Sequence, residues 1–235
     1  MRHLDWDGCF NVRDLGGLPA AGGRHTRRQA AVRSDAVDRL TSAGWSALSE
    51  HGVRTIIDLR SNGERQADIV PRPAGLDTIR LPLEAPEDTE FWQFSGSGLH
   101  GTPLYYPAFL ERFPKRVAAV IAAFAAARPG GVLVHCGIGR DRTGLVAIVL
   151  LALAGVPAGD IVDDHLLSTE RLRPAWPALG MADQEPLIAR YLAEHGTTAR
   201  ESLTATVEAL DAEAYLRSGG LTDADIAAVR ARLLG

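Results

Sequence analysis

The stretch Val132-Leu133-Val134-His135-Cys136-Gly137-Ile138-Gly139-Arg140-Asp141-Arg142-Thr143-Gly144 decides how this chain is read. Pro129-Gly130-Gly131 marks a turn before it. Val132 to Val134 reads as a buried strand, and the apolar run from Asp141 to Ala154 reads as a helix stopped by Gly155. The short loop between them opens onto a helix N-terminus, where unpaired N–H groups and the positive end of the helix dipole favour an anion. Gly137, Gly139 and Gly144 admit conformations and close approaches that a Cβ would obstruct. Arg142 adds an always-charged fork that fits two phosphate oxygens. The same positive surroundings favour the thiolate of Cys136, which is the nucleophilic form.

The chemistry implied is in-line attack of Cys136 on phosphorus, followed by hydrolysis of a phosphocysteine, with no metal required. The phosphate cradle comprises Gly137, Ile138, Gly139, Arg140, Arg142, Thr143 and Gly144, whose donors stabilise charge on the equatorial oxygens. Thr143 can also hydrogen-bond the sulfur and ease its departure. A leaving alkoxide needs a proton, and Asp141 is the carboxyl group nearest in sequence, which makes it a candidate general acid and then base. An aspartate here equally suits a helix cap, so residue type leaves both readings open.

His-Cys-x-x-Gly-x-Asp-Arg-Thr-Gly is similar to the phosphate loop of the cysteine-based protein tyrosine phosphatases, in particular their bacterial, mycobacterial-type branch. Asn11-Val12-Arg13-Asp14-Leu15-Gly16-Gly17, Val32-Arg33-Ser34-Asp35, Ile56-Ile57-Asp58-Leu59-Arg60-Ser61, Asp164-His165-Leu166-Leu167-Ser168 and Gly220-Leu221-Thr222-Asp223 resemble that family's blocks in its order. The resemblance implies phosphomonoester hydrolysis through phosphocysteine and a loop aspartate linked to acid catalysis. It also implies helical lids over the site. The branch usually has Lys-Asp-Arg, its lysine being linked to phosphoinositide activity. Arg140 keeps the charge but exchanges a point charge for a fork.

With 235 residues, the chain suits one α/β phosphatase domain spanning 1–235. Its 46% hydrophobic and 23% charged residues are those of an ordinary globular chain. A net charge of -4 gives no general electrostatic case for nucleic acid or membrane surfaces. Cys9 and Cys136 are the only cysteines, and a disulfide between them would silence the nucleophile, so a reducing compartment is expected. Cys9 is most simply a free thiol. No signal-peptide-like segment follows Met1, and Leu145 to Leu153 is too short to span a bilayer. A cytoplasmic protein is expected, with secretion by another route left open. The histidines show no zinc-binding spacing, and no cofactor is implied.

Strand and helix patterns alternate. A helix around Trp45 and Leu48 ends at Gly52, strands are expected at Val53–Leu59 and Thr78–Leu83, and Val117, Val120, Ile121 and Phe124 recur on one helical face. This predicts a mostly parallel central sheet flanked by helices, with the loop at a strand's carboxyl end. The C-terminal third reads as helical. Thr198 and Glu201 resemble a capping box, Leu203, Val207, Leu210 and Ala214 then form one apolar helical face up to Gly219-Gly220, and a last helix starts near Thr222.

Segments 84–106, with Phe91, Trp92, Phe94, Tyr105 and Tyr106, and 174–181, with Trp176, suit either covering lids or satellite cores. His135 is a candidate for orienting the loop. Asp58 and Arg60 could brace it or reach substrate, a salt bridge being the favoured reading. Arg13 and Asp14 look like a turn held by charge pairing. The substrate is either a phosphotyrosine protein or a small phosphorylated metabolite such as a nucleotide, sugar or inositol phosphate. A silent phosphate-binding module is the reading from another class; the intact Cys136, Asp141 and Arg142 argue against it. Arg142 and the Thr143-Gly144 helix entry likewise argue against rhodanese-like sulfur transfer.

Overall fold

The computed structural model describes residues 2–95 and 101–235, with only the backbone described for 94 and 95. At its centre, β5 (Gly131–His135) is the apolar strand before the loop, buried along its whole length. On one side it pairs in parallel with β2 (Ala31–Ser34), on the other with β3 (Val53–Asp58). The strand β4 (Asp77–Arg80) continues the sheet in parallel beyond β3, and the two-residue β1 (Arg13–Asp14) closes the other edge antiparallel to β2. The order β1-β2-β5-β3-β4 is the mostly parallel sheet expected. Ser34 and Asp58 both lie opposite His135, so three strand ends converge where the loop begins.

Side chains alternate across β5 because a strand has a period of two. Val132 and Val134 join Ile57, Leu59 and the helices α4 (Pro114–Ala126) and α5 (Asp141–Leu153), while Leu133 turns with Val53 and Ile56 toward Trp45 and Leu48 of α1 (Ser42–Glu50). Helix α5 is apolar on all sides, as a helix buried beneath a sheet must be: Thr143 through Leu151 form an unbroken buried run.

Beyond α5 the chain is helical: α6 (Ala158–Leu172), α7 (Ala175–Ala178), α8 (Glu185–Glu194), α9 (Ala199–Glu208), α10 (Ala212–Ser218) and α11 (Asp223–Leu234). The Thr198–Glu201 capping box opens α9. The single apolar face expected through Ala214 is instead divided, because α9 ends at Glu208 and Asp211 caps a new helix by accepting from the Ala214 N–H. Strand β4 ends at Arg80, short of the expected Leu83, although the Leu81 and Leu83 N–H groups still donate to the Asp58 and Leu59 carbonyls.

In segment 84–106, α2 (Thr89–Ser95) leads toward α3 (Tyr106–Arg112), and Phe91, Tyr105 and Tyr106 pack edge-on among Phe109 and Phe113. These aromatics fill core, while residues 96–100 and the Phe94 side chain lie outside those described. Trp176 is buried with Leu172 and Ala175 in a satellite core against which Ile138 of the loop packs. Among the described residues, no helix is long and apolar enough to cross a membrane.

Candidate active site

The loop is shaped by where its carbonyls go. The Cys136 carbonyl lies 3.1 Å from His135 Nδ1. The Gly137 carbonyl accepts from the Ala36 N–H at 3.0 Å, and that of Ile138 from Asn11 Nδ2 at 3.1 Å. Arg33 Nη2 donates to the carbonyls of Gly139 at 2.9 Å and Arg140 at 3.3 Å. A planar trans peptide points its N–H opposite its C=O, so five successive carbonyls pinned outward turn the amides of residues 137–141 inward. Among the described residues, none of these amides donates to a protein acceptor. At Gly139 the backbone has φ +72°, and a Cβ would lie 2.5 Å from the Ser34 carbonyl oxygen, so only glycine fits.

The groups that pin the loop are themselves fixed by a buried ion cluster. Asp164 on α6 accepts from Arg2 at 2.6 Å, Arg13 at 3.2 Å and Arg33 at 3.1 Å. Burial would raise its pKa, but Arg13, Arg33 and Arg2 hold it well below the usual carboxylate range. Arg13 also donates to Asn11 Oδ1, the Asp164 carbonyl and Ser168 Oγ. Asp35 accepts from the Phe10 and Asn11 N–H groups and from Arg39. The expected charge pairing of Arg13 with Asp14 gives way to this cluster. Asp14 instead accepts from the Gly16 and Gln29 N–H groups, because neighbours alternate faces on β1.

Cys136 stands just past β5 with 2% of its surface exposed. Nearby in the chain, the buried Thr143 hydroxyl has no hydrogen-bond partner among the described residues. Arg142 is gripped by Glu64 through two bonds of 2.7 and 2.6 Å and lies 3.3 Å from Glu84. A Cβ built on Gly137 would sit 3.8 Å from Arg142 Nη2, which places the guanidinium beside the start of the loop. Burial lowers the Arg142 pKa, but Glu64 and its neighbours outweigh that and raise it above the ordinary arginine value.

Arg140 departs from the cradle expected of it. Its guanidinium binds Glu185 at 2.9 Å and Gln184 at 3.0 Å, with the Gly101 carbonyl at 3.3 Å, because those acceptors lie on the outer side of the loop. Only its backbone amide faces inward. Asp141 opens α5, and the N-cap residue Arg140 makes no side-chain cap bond. Its Oδ1 accepts from Tyr106 Oη at 3.0 Å, and Tyr106 Oη is 2.9 Å from His165 Nε2. Gly144 makes room for this, since a Cβ there would lie 2.6 Å from His165 Nε2.

His135 is wholly buried; burial outweighs the opposing Asp58, 3.8 Å away, and lowers its pKa to about 4. Its ring is therefore neutral. Asp58 and Arg60 bond each other at 3.0 Å, with Asp38 completing the pair at 2.5 Å, the salt-bridge arrangement favoured from sequence. Reasoning from sequence missed Glu64, Glu84, Tyr106 and Asp164 as parts of the site. Ser61 and Glu64 carried one signal, the spacing of a capping box, which the structure contains.

A tyrosine phosphatase family model matches residues 4–235. The chain belongs to this family. This phosphatase is 31% identical to a tyrosine-protein phosphatase of Nostoc commune, over 86% of this chain and 73% of that protein. It is 33% identical to a putative tyrosine-protein phosphatase of Cupriavidus necator, over 72% of this chain but 64% of the relative's length. Identity to the triple specificity protein phosphatase PtpB of Mycobacterium tuberculosis is 27%, over 97% of this chain and 98% of that protein. Among solved structures, P. aeruginosa TpbA aligns with 84% of this chain and 91% of its own, at 16% identity and a TM-score of 0.42. Members of the family are cysteine-dependent phosphatases, the enzyme class expected from the loop.

Proposed function

We propose that this phosphatase hydrolyses phosphotyrosine on proteins through a phosphocysteine intermediate, and that residues 1–235 form one catalytic unit. The observation that carries the reading is the row of inward amides between Cys136 and Arg142, created by five outward-bonded carbonyls. In the first step the Cys136 thiolate attacks phosphorus, the P–O ester bond breaks and Asp141 gives its proton to the leaving oxygen. Water then attacks phosphorus, Asp141 takes the water's proton, and the P–S bond breaks to release phosphate and regenerate the thiolate. The amides and Arg142 hold the equatorial oxygens throughout, and Thr143 donates to the departing sulfur.

Relatives described as tyrosine phosphatases support the phosphotyrosine reading. The net charge of -4 supports a protein rather than a nucleic-acid partner, and the free thiols of Cys9 and Cys136 suit a reducing cytoplasm. The test is a panel of phosphotyrosine peptides, phosphoserine peptides, phosphoinositides and phosphorylated metabolites, with Cys136→Ser and excess chelator as controls. Turnover that survives Cys136→Ser, or vanishes with chelator, sinks the mechanism; efficient turnover of one metabolite alone overturns the protein substrate. Asp141→Asn is expected to slow esters with poor leaving groups and spare those with good ones. Equal losses on both remove Asp141 from the acid role.

A further inference from the structure

Asp141 ends a three-membered chain of side chains in which Tyr106 from α3 bridges the carboxylate to His165 on α6. Tyr106 is fully buried and His165 nearly so, which leaves the phenol these two partners rather than solvent. A phenol has a single proton to donate. The chain therefore has a direction, and its ends settle which way it runs.

Arg33, Arg13, Arg140 and Asp164 are the charged groups around His165. Burial first, then the three arginines, push its pKa well below the ordinary value against the opposing Asp164, so the ring is neutral. Tyr106 faces Asp141, Tyr105 and Arg140, and burial with the Asp141 charge raises its pKa well above the ordinary value, so the phenol keeps its proton. Among the described residues, the cation in contact with Asp141 is Arg140, whose Nε lies 3.4 Å from Oδ2 and 3.5 Å from Oδ1, beyond good hydrogen-bond length.

We propose that Tyr106, oriented by an N–H donated from His165 Nε2, is the positioning residue for the acid–base group, committing Asp141 Oδ1 as an acceptor so that the exchangeable proton resides on Oδ2. This rests on the reading of Asp141 as the general acid and base. Through both steps the Tyr106 proton stays on Tyr106. The proton given to the leaving oxygen departs from Oδ2, and the one taken from water returns to Oδ2, so the balance closes without using the histidine.

The experiment measures kcat/KM for Tyr106→Phe, His165→Leu and His165→Gln, on one ester with a poor leaving group and one with a good one. Tyr106→Phe is expected to lose about 10- to 100-fold on the poor leaving group, the scale of a misplaced catalytic group. It should lose less than about 3-fold on the good one, whose departure needs no proton. His165→Leu should reproduce the selective loss, and His165→Gln, which keeps an N–H donor, should recover part of it. Equal losses on both esters, in variants whose urea midpoints match the parent, overturn the proposal. If Tyr106→Phe does not fold, the two His165 variants decide: equal activities refute it. Leaving-group-independent loss in Asp141→Asn would instead refute the acid role on which the proposal stands.

Discussion

Replacing Asp164 with asparagine tests the idea that a buried charge cluster, rather than the loop's own sequence, holds the phosphate cradle open. The aspartate is 1% exposed and binds two guanidiniums that are themselves 0% and 1% exposed, Arg13 and Arg33, plus the partly exposed Arg2. Asparagine keeps the shape and removes the charge, stranding two buried cations. Breaking a buried pair from one side costs about 3–5 kcal/mol. Total stability for a domain is about 5–15 kcal/mol, so this is a large fraction of it. At about 2–4 °C per kcal/mol for a chain this size, the melting temperature should fall by about 6–20 °C. Arg33 also holds the Gly139 and Arg140 carbonyls, so kcat should fall even at temperatures where the variant is folded.

Urea unfolding at pH 7, with the m-value checked for constancy, measures the loss. Its pH dependence supplies a second signature. The folded pKa of Asp164 lies below the unfolded value of about 3.9, so its stabilisation is complete above about pH 4 and is lost as pH falls further. The parent should therefore lose this stabilisation on acidification below pH 4 while the variant has none to lose, and their difference should shrink. A loss under about 1 kcal/mol at pH 7 would refute the reasoning, since it falls below the cost of even an unsatisfied buried hydrogen bond.

Gly139→Ala places a Cβ 2.5 Å from backbone at φ +72°, so it should cost about 1–3 kcal/mol and most of the activity; retention of both would contradict the described loop. The neutral His135 and His165 have folded pKa values below the unfolded value of about 6.5, so stability should fall as pH drops below that point, with a slope of up to about 1.4 kcal/mol per pH unit for each ring. Urea titrations at pH 7.5, 6 and 5 read this, and a His135→Asn variant should show a shallower decline. Arg140→Ala should speed amide exchange in Glu185–Glu194 while leaving phosphate affinity within about 3-fold, because the guanidinium grips Glu185 and Gln184; a loss beyond 10-fold would put it back on the phosphate.

Local patterns were legible wherever a segment's partners are close in the chain. The β5-loop-α5 unit could be read because an apolar strand, interior glycines and an apolar helix adjoin one another, and the capping box of α9 because its two partners are three residues apart. Two short strands were hidden. β1 has only two residues, and β2 carries Arg33 and Ser34 at buried positions, where an apolar pattern would be expected. The apolar run Leu203, Val207, Leu210 and Ala214 misled, since helical spacing alone does not reveal that Asp211 starts a new helix.

By itself the sequence determined the local arrangement: a cysteine and an arginine at the ends of a glycine-containing loop, between a strand and a helix that must both be buried. Tertiary structure decided what surrounds them, because those partners come from distant segments. Asn11, Arg33 and Ala36 set the carbonyls, Glu64 and Glu84 take up Arg142, and Glu185 draws Arg140 away from the cradle. Arginines two residues apart thus meet different carboxylates. Spacing fixes that they leave the loop in different directions, and only the fold fixes which carboxylate waits in each.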